Sequence, residues 1–170
     1  ALLLTEIKPG NVFYDIGSCI GLYALHVALI GAKVYAFEPD PGFRKRLKNN
    51  IKINRLSGQI KVIEWAVSNS NDRVVLYTDG IGGNSPSLVA LTQRGSVQVE
   101  TRTIDTGIAK GELIPPDIIK MDIEGSEILA LQGMQCLLAS NNAPHSIYLE
   151  LHPAMLAQMN SSVDDCLSLI

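Results

Sequence analysis

Residues 12–21 of the chain read VFYDIGSCIG, an apolar run that closes on two glycines. The run has the length and composition of a buried β-strand over Val12–Ile16, and the glycines supply a tight turn. The apolar segment Ile20–Ile30, which Gly31 ends, has the length of a helix. Strand, glycine turn and helix in this order predict the first unit of an open α/β sheet.

The alternation of strand and helix continues along most of the chain. Apolar runs predict buried strands over Val12–Ile16, Lys33–Phe37, Ile60–Val67, Asp117–Ile123 and Ser146–Leu151. Helices are predicted over Ile20–Ile30, from Pro41 to about Asn54 behind an Asp40 cap, over Glu127–Leu138 with a kink or split at Gly133, and after a Ser161 or Ser162 cap. The pattern predicts an α/β fold, a Rossmann-like, doubly wound and mostly parallel sheet with helices on both faces.

One segment interrupts this rhythm. Val74–Thr78 and Val97–Thr103 have the composition of strands, and the residues between them are rich in glycine and serine. We expect a β-hairpin insertion around 74–104 with a long mobile loop.

Length and composition narrow the class of protein. A chain of 170 residues with 46% hydrophobic and 18% charged residues is predicted to form one globular domain, 1–170. Its net charge of −3 disfavours nucleic-acid binding and a polybasic membrane surface. No apolar run has the length of a membrane span. Three cysteines without a CxxC pair favour a reducing compartment, so we expect a cytoplasmic location.

Acidic and polar residues lie at or just after the ends of the predicted strands. They are Asp15 in the first strand, Glu38 after the second, Asp122 and Glu124 at the end of the fourth, and Glu150 and His152 at the end of the fifth. Ligands of such sheets bind at the carboxyl ends of the strands, and buried carboxylates are costly without a partner. The pattern therefore favours a polar or cationic ligand at this edge.

The glycine turn distinguishes between nucleotide ligands. Gly17 and Gly21 have Cys19 between them, where a dinucleotide fingerprint has a glycine. Asp15 before the turn would repel a phosphate, while Glu38 stands where a carboxylate accepts hydrogen bonds from ribose hydroxyls. An adenosine ligand without phosphates, S-adenosylmethionine, fits these features.

The sequence resembles the class I S-adenosylmethionine-dependent methyltransferases and, more narrowly, the FkbM family. The matching stretches are 12–18 with Gly21, 34–39 (VYAFEP) and 117–127 (DIIKMDIEGSE). The resemblance implies methyl transfer to an oxygen of a sugar, glycan or natural product. It implies a cofactor site that includes Asp15, Gly17, Ser18, Gly21, Glu38, Pro39 and Asp122, with Ala66 and Val67 near the adenine.

The chain departs from the class at its end. Class I methyltransferases usually add a sixth strand and an antiparallel seventh, and too few residues follow Ser161 for both. The chain also lacks an initial methionine. We therefore expect a domain that is incomplete at its C-terminus.

Several side chains are candidates for activating the acceptor. Asp122 is the first candidate for a base, and Glu124 lies two residues on. His152 has a suitable ordinary pKa, and Glu150 is expected to orient it or to pair with Lys120. The same four residues, Asp122, Glu124, Glu150 and His152, are an alternative set of ligands for a divalent metal, although their spacing matches no fixed metal motif.

Two other functions stay open on the sequence. One is an NAD-binding oxidoreductase or epimerase, against which Cys19 and Asp15 both argue. The other is a cofactor-binding domain without catalytic activity.

Overall fold

The computed structural model describes residues 2–78 and 95–170. In chain order the elements are α1 (Leu2–Glu6), β1 (Val12–Ile16), α2 (Leu22–Ile30), β2 (Lys33–Phe37), α3 (Pro41–Ile53), β3 (Ile60–Ile63), β4 (Ala66–Val67), β5 (Asp72–Thr78), β6 (Gly95–Arg102), α4 (Ile104–Ala109), β7 (Ile118–Met121), α5 (Glu127–Gln132), α6 (Gln135–Leu138), β8 (Ser146–Leu149), α7 (Pro153–Gln158) and α8 (Val163–Leu167).

The main sheet has the order β3-β2-β1-β7-β8, and every pairing in it is parallel. The chain winds outward from β1 in one direction through β2 and β3, then returns to the other side of β1 with β7 and β8. The direction of winding therefore reverses between β1 and β7, and their carboxyl ends form the switch point where such sheets bind ligands. The predicted doubly wound α/β fold is confirmed.

Both faces of the sheet are buried, because successive strand residues point to opposite sides. On one face, Phe13 belongs to a hydrophobic cluster that includes Val27 of α2 and Leu47 of α3. On the other face, its neighbour Tyr14 belongs to a second hydrophobic cluster, with Leu131 of α5. The helices therefore cover the sheet on both sides, as predicted.

A second sheet, of order β4-β6-β5, lies beside the first. β5 and β6 pair antiparallel from Asp72 opposite Thr101 to Thr78 opposite Gly95, which confirms the hairpin strands. The loop expected between them falls largely on residues 79–94, outside the described residues.

Three predicted strands are shorter than expected. The run Ile60–Val67 divides into β3 and β4, which belong to different sheets. The division falls at Trp65, which turns inward and meets the Phe37 ring edge to face at 5.2 Å. Asp117 precedes β7 and accepts the Val12 N–H at 2.7 Å instead of extending the strand. β8 ends at Leu149 and is only half-buried, because it forms one edge of the sheet.

The helices differ from the prediction mainly at their ends. α2 begins after Gly21, whose φ of 96° is not helical. The predicted split at Gly133 and the Asp40 and Ser162 caps are confirmed. The prediction missed α1, α4 and α7; Pro153 begins α7, although its sequence position suggested only the end of a strand. Across residues 2–78 and 95–170, no helix combines the length and apolar character needed to cross a membrane.

Gly133 offers a test of how the two sheets are held together. A Cβ at this position would collide with the backbone carbonyl of Ser68, just after β4. We expect Gly133→Ala to lower the free energy of unfolding by about 1–3 kcal/mol, because rigid backbone has to move. Gly58→Ala is the control, since a Cβ there meets nothing within 4 Å. Urea unfolding of both variants measures the difference, and equal stabilities would contradict this packing.

Candidate active site

The two loops that leave β1 and β7 are in direct contact at the switch point. Gly17 follows β1 with a φ of 82°, and a Cβ on it would collide with the Asp122 backbone carbonyl. Only glycine combines this conformation with such a close approach. The predicted importance of Gly17 thus has a local cause, since it lets the two loops share one edge.

Each loop also has a non-glycine residue whose backbone φ lies in the left-handed region. Cys19 has a φ of 51° and Glu124 a φ of 52°. Such conformations cost free energy and cluster at functional sites. The turn at Cys19 directs its N–H to Glu38 Oε2 at 2.8 Å, and so links the first loop to the end of β2.

Glu38 is buried at the end of β2, where its carboxylate organises the surrounding backbone. Besides Cys19, the Asp40 N–H donates to it, to Oε1 at 2.9 Å. Burial raises the pKa of Glu38 to about 7, although these N–H donors lower it. Glu38 is therefore a carboxyl group whose burial is unfavourable and which lies beside an open cavity. This is expected for a group that accepts hydrogen bonds from ligand hydroxyls.

Lys120 is the buried cation at the centre of the switch point. Its Nζ donates to the Gly17 carbonyl at 3.2 Å and lies 3.7 Å from both Asp15 Oδ1 and Asp122 Oδ2. Asp15 also accepts the Ala24 N–H of α2 at 3.0 Å. Burial raises the pKa of Asp15 in spite of Lys120 and this hydrogen bond.

A cavity opens beside these loops and encloses about 650 Å³, part of it open to solvent. Six of the predicted cofactor residues line it, namely Gly17, Glu38, Pro39, Ala66, Val67 and Asp122. Three others lie outside this lining. Asp15 and Ser18 are buried beneath the loop, with the Ser18 hydroxyl donating to the Asp15 carbonyl at 2.6 Å, and Gly21 packs against Leu47.

Sequence reasoning missed part of the cavity wall. Trp65 and Leu76 line it, together with Phe37 and Ile123, and make it largely apolar. Ser126 also lines it, and its buried hydroxyl has no hydrogen-bond partner among the described residues. Ser126 directly precedes α5, but its side chain makes no cap hydrogen bond to that helix.

A second group of polar residues surrounds His152, at the start of α7. Its Nε2 lies 3.3 Å from Glu124 Oε2 and 3.9 Å from Asp122 Oδ1. Its Nδ1 lies 3.2 Å from Oε1 of Glu127, which is fully buried. We call Asp122, Glu124, Glu127 and His152 the His152 cluster. It shares Asp122 with the cavity, so the two sites are adjacent.

The carboxylates of the cluster control the charge of the imidazole. Burial lowers the pKa of His152, but the hydrogen bond to Glu127 and the charges of Glu124, Glu127 and Asp122 together raise it above its ordinary value of 6.5. Without another cation in the cluster, His152 is therefore more readily protonated than a free histidine.

The role expected for Glu150 is not the one it takes. His152 pairs with Glu127 instead, and Lys120 pairs with Asp15 and Asp122. Within the described part of the chain, Glu150 makes no side-chain hydrogen bond or ion pair, and it is exposed. The reason is that β8 ends at Leu149, so Glu150 and His152 are not held on one side by a continuing strand.

Three of the four predicted metal ligands do come together. One donor atom each from Asp122, Glu124 and His152 lies within 4.8 Å of the others. Glu127 contacts His152 as well, and no motif or periodicity in the sequence indicates this contact.

Comparison with known proteins identifies related sequences. A family model described as the methyltransferase FkbM domain matches residues 15–170. The hexuronic acid methyltransferase AglP of Haloferax volcanii is 32% identical over 151 residues, which are 89% of this chain and 60% of that protein. The 31-O-demethyl-FK506 methyltransferase FkbM of Streptomyces tacrolimicus is 28% identical over 76% of this chain and 62% of its own length. The chain thus spans about three fifths of these curated relatives.

Solved structures agree on the fold. The methyltransferase FkbM of Methylobacillus flagellatus KT superposes with a TM-score of 0.58 at 23% identity, over 81% of this chain and 32% of that one. The precorrin-6y C5,15-methyltransferase of Geobacter metallireducens superposes with a TM-score of 0.56 at 12% identity, over 99% of this chain and 68% of that one.

The raised pKa of Glu38 predicts a pH-dependent contribution to stability. In the folded protein Glu38 keeps its proton up to a pH of about 7, whereas an unfolded glutamate loses it near 4.5. The contribution of the protonated Glu38 carboxyl group to the free energy of unfolding is therefore fully present below pH 4.5 and is lost as the pH rises through 7. Relative to Glu38→Ala, we expect the wild type to lose about 3 kcal/mol of unfolding free energy over this window, at about 1.4 kcal/mol per pH unit. Urea unfolding at pH 4.5, 6 and 8 tests this, and a pH-independent difference between the two proteins would contradict it.

Proposed function

Because the chain belongs to the FkbM methyltransferase family, we propose that it transfers a methyl group from S-adenosylmethionine to a hydroxyl oxygen of a sugar, glycan or natural-product acceptor. The observation that carries the proposal is the position of Glu38. A buried carboxylate at the end of β2 faces an apolar cavity at the switch point of the sheet. A ribose diol bound to Glu38 would have its base in the apolar part of that cavity.

The cavity offers each part of S-adenosylmethionine a matching surface. Glu38 accepts hydrogen bonds from the ribose hydroxyls, and the adenine packs among apolar side chains that include Trp65 and Val67. Gly17 borders the cavity with backbone atoms alone, and the Asp122 carboxylate favours the positive sulfonium. The same features disfavour a dinucleotide, so the NAD-binding alternative is set aside.

The acceptor class is inferred from the relatives. One is named for methylation of a hexuronic acid. Another, NoeI of Sinorhizobium fredii, is named a 2-O-methyltransferase and is 26% identical over 74% of this chain and 58% of its own length. These names favour an oxygen nucleophile on a sugar or a similar small molecule.

The reaction requires a deprotonated oxygen in line with the sulfonium methyl group. A lone pair of the acceptor oxygen forms the new O–CH₃ bond, while the S–CH₃ bond breaks and leaves its electron pair on sulfur. The hydroxyl proton passes to the His152 cluster, where Asp122 lies at the cavity. A divalent metal held by the same residues is the alternative means of activating the hydroxyl.

We also propose a compartment and an acceptor class for the protein. Three free cysteines favour a reducing compartment such as the cytoplasm. The negative net charge favours a small-molecule or glycan acceptor over a nucleic acid.

Cofactor affinity tests the role of Glu38. Glu38→Ala should weaken binding of S-adenosylhomocysteine by about 1–3 kcal/mol, since hydrogen bonds to a charged group are lost. Titration calorimetry at pH 8 measures the affinity. Glu100→Ala removes an equal charge from an exposed position on β6 and should bind as the wild type does. Unchanged affinity in Glu38→Ala would remove Glu38 from the cofactor site.

A substitution at Asp122 separates cofactor binding from methyl transfer. Asp122→Asn should retain S-adenosylhomocysteine binding but slow methyl transfer by about 10²–10⁴-fold, the range for loss of acid–base assistance. Transfer of a labelled methyl group to uronic-acid glycans and other hydroxylated acceptors measures the rate. Asp164→Asn, an exposed carboxylate on α8, is the matched control. Wild-type protein that binds S-adenosylhomocysteine but methylates none of these acceptors would favour a non-catalytic cofactor-binding domain.

A further inference from the structure

The arrangement around His152 is compatible with a bound cation in three respects. The first is the spacing of its donor atoms. His152 Nε2 lies 3.3 Å from Glu124 Oε2 and 3.9 Å from Asp122 Oδ1. With metal–ligand bonds of about 2.1 Å, adjacent ligands of an octahedral ion lie about 3 Å apart and opposite ligands about 4.2 Å apart. Both distances from His152 Nε2 are therefore close to the separations that one cation would impose, and one donor atom of each of the three residues lies within 4.8 Å of the others.

The second respect is the orientation of the imidazole. Oε1 of the fully buried Glu127 lies beside Nδ1 of the imidazole. Nε2 is therefore the nitrogen that faces Asp122 and Glu124. Metal-binding histidines characteristically have a carboxylate on the nitrogen away from the metal. The second oxygen of Glu127, Oε2, is buried and has no hydrogen-bond partner among the described residues. A fully buried carboxylate in this state is costly unless positive charge lies nearby.

The third respect is the balance of charge and backbone strain. Within the His152 cluster itself, three carboxylates surround one imidazole, so among these four described side chains negative charge exceeds positive charge even when His152 is protonated. The neighbouring Lys120 is shared between Asp122 and Asp15. Glu124 reaches the cluster from a backbone with a φ of 52°, a strained conformation of the kind that folds retain at ligand sites.

From these observations we propose that Asp122, Glu124 and His152 bind one divalent cation of the Mg²⁺ and Mn²⁺ class, with Glu127 as the residue that positions His152. Carboxylate oxygens suit this class of ion, and three protein ligands leave coordination positions for water and for an acceptor hydroxyl. Asp122 lies at both sites, so the ion is adjacent to the cavity. Only the catalytic role of this ion rests on the proposed function; its binding does not.

In methyl transfer the cation would replace a protein base. A hydroxyl bound to a divalent cation loses its proton to water at lower pH than a free hydroxyl, and the oxygen keeps the electron pair for the attack on the methyl carbon. The three ligands are then occupied by the metal, and their mutation would affect the rate through the ion.

Binding of Mn²⁺ to chelator-treated full chain, followed by electron paramagnetic resonance, tests the proposal. The wild type should take up one Mn²⁺ per chain in a saturable manner that Mg²⁺ competes with. Pulsed spectra of bound Mn²⁺ should show ¹⁴N coupling from His152. Asp122→Asn and His152→Ala should each weaken the affinity at least about tenfold, and Glu127→Gln about 10–100-fold as a positioning residue. Asp164→Asn should bind as the wild type does.

Thermal unfolding of each variant identifies any that fails to fold, and the near-isosteric Glu124→Gln then replaces it. Non-saturable uptake, or equal affinity in wild type and folded ligand variants, would overturn the metal site. Calorimetry with S-adenosylhomocysteine and no metal separates the two proposals. Normal S-adenosylhomocysteine binding without Mn²⁺ uptake overturns only the metal site, and saturable Mn²⁺ uptake without S-adenosylhomocysteine binding overturns only the cofactor site. If Mn²⁺ binds but chelator leaves methyl transfer unchanged, the catalytic role of the ion is overturned.

Discussion

The organisation of the active edge depends on one buried cation, Lys120. It reaches from β7 to the carbonyl of Gly17 and lies between the carboxylates of Asp15 and Asp122. Buried ion pairs gain little net stability, because desolvation opposes the Coulomb attraction, but removal of one partner leaves an uncompensated charge. The arrangement therefore serves mainly to hold the loops after β1 and β7 in register. Gly17 allows the contact between them, and Lys120 provides the charge that keeps two carboxylates beside it.

From this centre the carboxylates divide into two groups with different surroundings. Glu38 is held by backbone N–H groups and borders an apolar cavity, so a ligand that replaces its lost hydration needs hydroxyl groups and an apolar body. Glu124 and Glu127 instead surround an imidazole and offer oxygen atoms to a cation. Asp122 alone belongs to both sites. In the proposed reaction, cofactor binding and acceptor activation would thus converge on one side chain, as a reaction between two bound groups requires.

Sequence patterns predict those features that depend on local chemistry. The strands follow from apolar runs, the caps at Asp40 and Ser162 from side chains that accept backbone N–H groups, and the position of Glu38 from its place after β2. The remainder depends on contacts between distant segments. Trp65, at the point where an apolar run divides, packs against the Phe37 ring, and Leu76 reaches the cavity from the hairpin. Neither contact leaves a periodic signal in the sequence, and the same holds for Glu127 beside His152.

As Glu127 shows, a carboxylate near the start of a helix can have either of two roles. A carboxylate in the first turn usually stabilises the helix through its dipole and stays in water. In α5 the same position is fully buried, because α7 and α8 cover that end of the sheet and bring His152 against it. Burial changes the role of the side chain from a solvated charge to a fixed acceptor that sets which imidazole nitrogen faces Asp122 and Glu124. In the proposed mechanism, the chemistry at the switch point therefore depends partly on Glu127, which does not line the cavity but orients His152 next to it.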